Sequence, residues 1–137
     1  MLIPRKFKDQ KGAALVEFAI ATPLLLLLLC GFIEFGVLLY NKQVITNASR
    51  EGARAAINPV PILSSNEVVT VVTKYCDKKL ISFSTSNPIS VTPPNSNRVF
   101  GNEVTITVTW NYTFLVPSII NLGPSITLSS QTKMKMM

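Results

Sequence analysis

The feature that most constrains the fold is a long apolar run at residues 18–39, in which only Thr22 and Glu34 are polar. A helix of about 22 residues rises about 33 Å, which matches the hydrocarbon thickness of a lipid bilayer. An ordinary secretory signal peptide has a shorter apolar region, followed by small residues at a cleavage site. Because no such site follows this run, we predict a transmembrane helix.

Basic residues crowd the segment before this run, where Arg5, Lys6, Lys8 and Lys11 form a leader. Basic residues that flank a membrane helix tend to stay on the cytoplasmic side. We therefore predict a single-pass topology with a cytoplasmic N-terminus and an extracytoplasmic head. The formal net charge is +6, but the other basic residues are scattered, which disfavours a nucleic-acid partner.

Helical composition continues beyond the apolar run. Arg50, Glu51 and Arg54 follow helical spacing within residues 41–57, and oppositely charged residues at such spacing stabilise helices. Pro59 and Pro61 then end the helix, because proline cannot continue the backbone hydrogen-bond pattern. We predict a basic leader at residues 1–12, a membrane and assembly helix at 13–57, and a head at 58–137.

An acidic residue, Glu17, stands at the start of the apolar segment and follows Gly12 and Ala13. A carboxylate inside a membrane helix costs about 2.5–3.5 kcal/mol, so it normally has a partner; the alternative is that Glu17 stays hydrated among the headgroups. The spacing looks like a type IV prepilin processing site, which is cut after the glycine. The new α-amino group of Ala13 would then be neutralised by the Glu17 carboxylate, or by that of a neighbouring subunit.

Two further residues of the run attract attention. Pro23 either kinks the helix or is simply tolerated, as proline often is in membrane helices. Glu34 lies in the outer part of the run, and we expect it either to be interfacial or to pair between subunits.

Four segments of the chain carry a distinctive set of motifs: residues 12–18 (GAALVEF), 23–26 (PLLL), 33–36 (IEFG) and 47–54 (NASREGAR), which includes Gly52. Together these segments resemble the TadE-like proteins of the tight-adherence (Tad, or Flp) pilus systems. The resemblance implies a minor pilin or pseudopilin of the bacterial inner membrane that takes part in assembly of Flp fimbriae. It also implies partners, namely a prepilin peptidase, other pilins and the Tad assembly machinery. Major Flp pilins usually carry tyrosine after the glutamate, whereas this chain has Phe18.

The head is predicted to be an α+β fold, with one helix on a three-stranded antiparallel sheet. Residues 66–80 place apolar side chains at helical spacing. Residues 103–114 alternate apolar side chains with threonine, as a half-buried antiparallel strand does. Residues 126–136 alternate similarly, and 89–92 form a third, short candidate strand. The connection at 115–124 is apolar for a loop and is expected to cover the sheet or contact a partner.

Chemistry-bearing residues are few. The chain has no histidine and two cysteines, Cys30 inside the apolar run and Cys76 outside it. Such a chain cannot assemble a Cys/His zinc site or a Cys/His catalytic pair. Cys76 is either a buried thiol or a cross-link between subunits. We predict a non-enzymatic protein without cofactor or small-molecule substrate.

Two functions remain open from the sequence. The first is a structural subunit that helps to assemble a Tad-type fimbria through packing of its N-terminal helices. The second is a membrane-tethered binding or adhesion module that is not incorporated in a fibre. An intact Gly12–Ala13 bond and a monodisperse monomer in detergent would favour the second.

Overall fold

A single long helix, α1 (Asp9–Ile57), dominates the N-terminal part of the computed structural model. The structure describes residues 9–59, 62–83, 87–94, 99–115 and 125–136. The predicted helix is confirmed, and it already includes the last residues of the predicted leader. It passes through Pro23 without interruption. One turn earlier, the Thr22 hydroxyl donates a hydrogen bond to the Phe18 carbonyl over 2.7 Å.

The chain divides into two structural units after Phe35. Within the described residues, the first unit contains only the part of α1 from Asp9 to Phe35. The second unit, Gly36–Met137, combines the C-terminal part of α1 with the rest of the chain. We call it the C-terminal unit. The folded core therefore uses residues 36–57 of α1 in addition to the predicted head.

The second helix, α2 (Ser65–Cys76), is confirmed. It begins with a capping box, in which the Ser64 backbone N–H donates to the Glu67 carboxylate over 2.6 Å and the Glu67 N–H donates to the Ser64 hydroxyl over 3.3 Å. These bonds hold the pKa of the Glu67 carboxyl below its ordinary value. The predicted helix extended to residue 80. It ends at Cys76 because a turn follows, in which Lys78 has φ of 60°.

The sheet has three antiparallel strands in the order β1 (Ser90–Thr92), β2 (Glu103–Thr113) and β3 (Ser125–Lys135). Trp110 lies opposite Leu128 in the register of β2 and β3. The alternation predicted for β2 is confirmed, since its apolar side chains are buried and the threonines are partly exposed. The buried side chains are Val104, Ile106, Val108, Trp110 and Tyr112.

Two helices, rather than one, bury the apolar face of this sheet. Helix α2 was expected there and contributes Val68 and Val72 to the core. The C-terminal part of α1 contributes Ile45 and several alanines to the same cluster. The two helices approach each other closely at Gly52, because a Cβ atom on it would lie 2.4 Å from Cγ2 of Val72.

Candidate functional site

The apolar part of α1 is a bare hydrophobic surface. Phe18 is 70% exposed, and the large aliphatic side chains around it are exposed as well. The helix is long and apolar enough to cross a membrane, and its most apolar window is not buried by the protein itself. A core helix of a soluble domain would be covered. The exposed side chains include Leu15, Val16, Ile20, Leu24, Leu25, Leu26, Leu27, Leu28, Leu29, Phe32, Ile33, Phe35, Leu39 and Tyr40.

The residues predicted to form the processing site lie on one helical segment. Gly12, Ala13 and Glu17 are all exposed within α1. Ala13 and Glu17 are four residues apart, a spacing that places two side chains on the same face of a helix. An α-amino group created at Ala13 would therefore lie about one turn from the Glu17 carboxylate. The structure thus places Ala13 and Glu17 about one turn apart on α1, with Gly12 directly before them.

The other two predicted residues of the run differ from each other. Pro23 is exposed in an uninterrupted stretch of helix. Glu34 is only 6% exposed, whereas both of its sequence neighbours are well exposed. Burial within the single chain was not expected for Glu34. The hypothesis that it pairs with a neighbouring subunit stays a prediction.

The charged block near the end of α1 has two faces. Arg50, Glu51 and Arg54 are exposed, as solvent-facing helical residues should be. Gly52 and the adjacent Ala53 are buried in the core of the C-terminal unit. The block therefore combines a hydrated charged face with a close helix–helix contact.

Asn41 fixes a loop to α1 where the exposed apolar surface ends. Its side-chain Nδ2 donates to the Ile81 carbonyl over 2.8 Å, and its Oδ1 accepts from the Ile81 N–H over 2.9 Å. Asn41 is fully buried, so these two bonds satisfy a polar group that has no access to water. Sequence reasoning missed this residue, because the only signal is one amide at the end of an apolar run.

A small polar layer joins α1 to β3. The Ser49 hydroxyl lies 2.7 Å from the Thr132 hydroxyl and 3.2 Å from the Ser130 hydroxyl. Further toward the apolar segment, the Lys42 ammonium donates to the Ser129 carbonyl. The sequence did not predict these contacts either, because they join residues more than eighty positions apart.

Comparison with known families gives one match, and it falls on helix α1. Residues 12–54 match the family model described as TadE-like protein. The chain carries a TadE-like segment. The match confirms the resemblance seen in the sequence. It begins at the glycine of the predicted processing site and ends at Arg54, before α2. No curated protein and no solved structure matches the chain.

The two cysteines of the chain are both free thiols. Cys76 is buried at the end of α2, and burial raises the pKa of its thiol to about 11. A buried, protonated thiol is a poor nucleophile and a poor partner for a cross-link. The structure therefore favours the buried-thiol alternative for Cys76. Among the residues that the structure describes, no group of three or more His, Cys, Asp and Glu side chains is placed to hold a metal ion.

Replacement of Asn41 by alanine should destabilise the C-terminal unit by about 2 kcal/mol. The change removes two hydrogen bonds and leaves the Ile81 backbone groups without their partner. Urea unfolding of the detergent-solubilised chain, followed by Trp110 fluorescence, measures the loss. Gln43→Ala is the matched control, since Gln43 is an exposed amide on the same helix. Equal stability of the two variants would contradict the role of Asn41.

Proposed function

We propose that this TadE-like chain is a minor pilin or pseudopilin that acts as a structural or assembly subunit of Tad (Flp-type) pili. The observation that carries the proposal is the bare apolar part of α1, which lies inside the segment that matches the family. A helix with this surface must be covered by lipid or by other apolar helices. A pilin meets both environments, because lipid covers the helix in the membrane and other helices cover it in the assembled pilus.

The topology that we propose follows from charge and hydropathy. The basic leader remains in the cytoplasm, α1 crosses the inner membrane once, and the head is extracytoplasmic. The positive-inside tendency of membrane proteins supports this orientation. The length and apolar character of α1 support the anchor itself.

Processing is the second part of the proposal. A prepilin peptidase removes the leader after Gly12, which makes Ala13 the first residue of the mature chain. The Glu17 carboxylate then neutralises the new α-amino group, either within the chain or on a neighbouring subunit. The exposure of both positions on one helical face supports this pairing. An unpaired charge at this depth would otherwise oppose close packing of the helices.

Side-by-side packing of α1 helices provides the assembly contact. Phe18 is among the most exposed side chains of the segment. Without an aqueous solvent between them, membrane helices associate through packing and polar contacts. We propose that Phe18 and Pro23 shape this contact, with Glu34 as a further candidate. The partners are other pilins and the Tad assembly machinery, and TadE-like proteins are a structural, non-enzymatic family.

Photo-crosslinking in the native membrane tests the proposal. A photoreactive residue is placed at Ile20, which is 73% exposed on α1, and at Lys133 on the solvent face of β3 as a control. We expect adducts with other pilin helices from position 20 and far fewer from position 133. A tethered binding module would instead give no helix adducts, keep the Gly12–Ala13 bond and remain a monodisperse monomer in detergent.

A further inference from the structure

The contacts of α1 define the two ends of the C-terminal unit. Lys42 contacts Ser129 of β3, which lies opposite Thr109 of β2, whereas Gly52 lies beside Ile106. Helix α1 and strand β2 therefore run in opposite directions. The C-terminal end of β2 and the beginning of β3 point toward the start of the unit at Gly36. We call this the proximal end.

The proximal end reaches the level at which the apolar surface of α1 stops. Helix α1 rises about 18 Å between Gly52 and Tyr40. Strand β2 extends about 23 Å between Ile106 and its last residue, Thr113. Even an inclined strand therefore reaches Tyr40. The bonds from Asn41 bring Ile81 to the same level.

Large apolar side chains are exposed at this end. They come from three separate parts of the chain: the loop after α2, the end of β2 and the beginning of β3. Each is between 43% and 53% exposed, and we call them the proximal apolar set. Its members are Ile81, Phe83, Leu115 and Ile126.

The height of this set relative to a bilayer follows from the helix. Residues 36–39, the last of the apolar run, belong to the C-terminal unit itself, and Asn41 lies about 3 Å beyond Leu39 along the helix, at about 1.5 Å per residue. The headgroup layer on each side is about 5–8 Å thick. The proximal apolar set therefore lies at the depth of the headgroups, where aromatic and aliphatic side chains can reach the acyl boundary.

Charge at this end suits a lipid surface. Lys78 and Lys79 are exposed in the turn that precedes the loop, and Lys42 follows Asn41 directly. Asp77 is the one acidic residue within the same turn. The excess of basic groups is complementary to anionic headgroups, which attract basic side chains electrostatically.

We propose that the proximal end of the C-terminal unit lies against the lipid headgroups of the membrane that α1 crosses, with the proximal apolar set at the acyl boundary. The proposal rests on the membrane anchoring described under the proposed function. It adds a second contact with the bilayer, which holds the head at a fixed height and inclination. A head seated in this way would present its distal end to partners outside the membrane.

Fluorescence quenching by brominated lipids tests this contact. The full chain is reconstituted in vesicles of phosphatidylcholine and phosphatidylglycerol whose acyl chains are brominated near the headgroup. Tryptophan is introduced as Phe83→Trp at the proximal end and as Phe100→Trp at the opposite end, where Phe100 is 81% exposed. The buried Trp110 gives the same background in both variants, and the unmodified chain measures it. Circular dichroism confirms that both variants are folded.

We expect the added tryptophan at position 83 to lose roughly half of its emission in brominated vesicles, and that at position 100 to lose almost none. Equal quenching of the two variants would overturn the proposal while leaving the anchor intact. A blue shift at position 83 that depends on protein concentration in unbrominated vesicles would assign this end to a second copy instead, and would also overturn it. Failure of the protein to float with the vesicles would refute the membrane anchor itself, and this contact with it.

Discussion

Replacement of Gly52 by valine should destabilise the C-terminal unit by about 3 kcal/mol, the upper range for overpacking a core. Even the Cβ atom of the new side chain would lie 2.4 Å from Cγ2 of Val72 and 3.4 Å from Cγ2 of Ile106. Val72 is fully buried and β-branched, so its methyl groups cannot rotate away cheaply. Helices α1 and α2 must therefore separate, which opens the core of a small domain.

Denaturant unfolding of the detergent-solubilised chain measures this effect through Trp110 fluorescence. Gly36→Val is the matched control, because no atom lies within 4 Å of the corresponding Cβ position at Gly36. Valine also has a better helix propensity than glycine. We expect the control to be neutral or slightly stabilising. Unfolding of both variants at the same denaturant concentration would contradict the claim that the core depends on the close contact of α1 and α2 at Gly52.

Replacement of Glu17 by alanine should leave membrane insertion intact and reduce co-assembly with other pilins roughly tenfold or more. The carboxylate is costly in an apolar helix, so its removal favours insertion. The substitution should instead destabilise the assembled state, because the α-amino group of Ala13 would lose its counter-charge among packed helices. Leaving a charge without its partner in such an environment destabilises the assembly by about 3 kcal/mol or more.

Shearing of cells and immunodetection of the chain in fimbrial and membrane fractions measure the effect. Glu51→Ala is the control, since Glu51 is an exposed acid on the same helix outside the apolar run. We expect it to assemble normally. Unchanged fimbriation in the Glu17→Ala strain would count against the pairing that we propose.

Regular patterns made much of the fold predictable. The alternation of β2 identified its buried face correctly, because a strand with one wet side must alternate. The apolar run and the TadE-like motifs identified the N-terminal segment. In each case the information is local, so one stretch of sequence is enough to carry it.

Long-range contacts are what the sequence did not reveal. The part of α1 that joins the core does so with small residues such as Ala48 and Ala53, which carry little hydrophobic signal. Asn41 has its role only because Ile81 lies beside it, forty residues away. Gly52 belongs to a motif shared with the family, but the need for glycine there follows only from the fold, in which Val72 packs against it.

The burial of Glu34 illustrates the same limit for a candidate site residue. Its position in an apolar run suggested an interfacial or intersubunit role. In the folded chain this side chain is 6% exposed. A sequence pattern indicates that a polar residue needs a partner, but it does not indicate whether that partner belongs to the same chain.

The mass of the mature protein, in strains with and without the prepilin peptidase, tests the processing and pilin assignment most directly. With the peptidase, we expect a chain that begins at Ala13 and has lost residues 1–12. Without it, we expect the chain to keep Met1 through Gly12 and to remain in the membrane. A mass that includes residues 1–12 in both strains would contradict cleavage after Gly12, and with it the pairing of Glu17 to a new α-amino group.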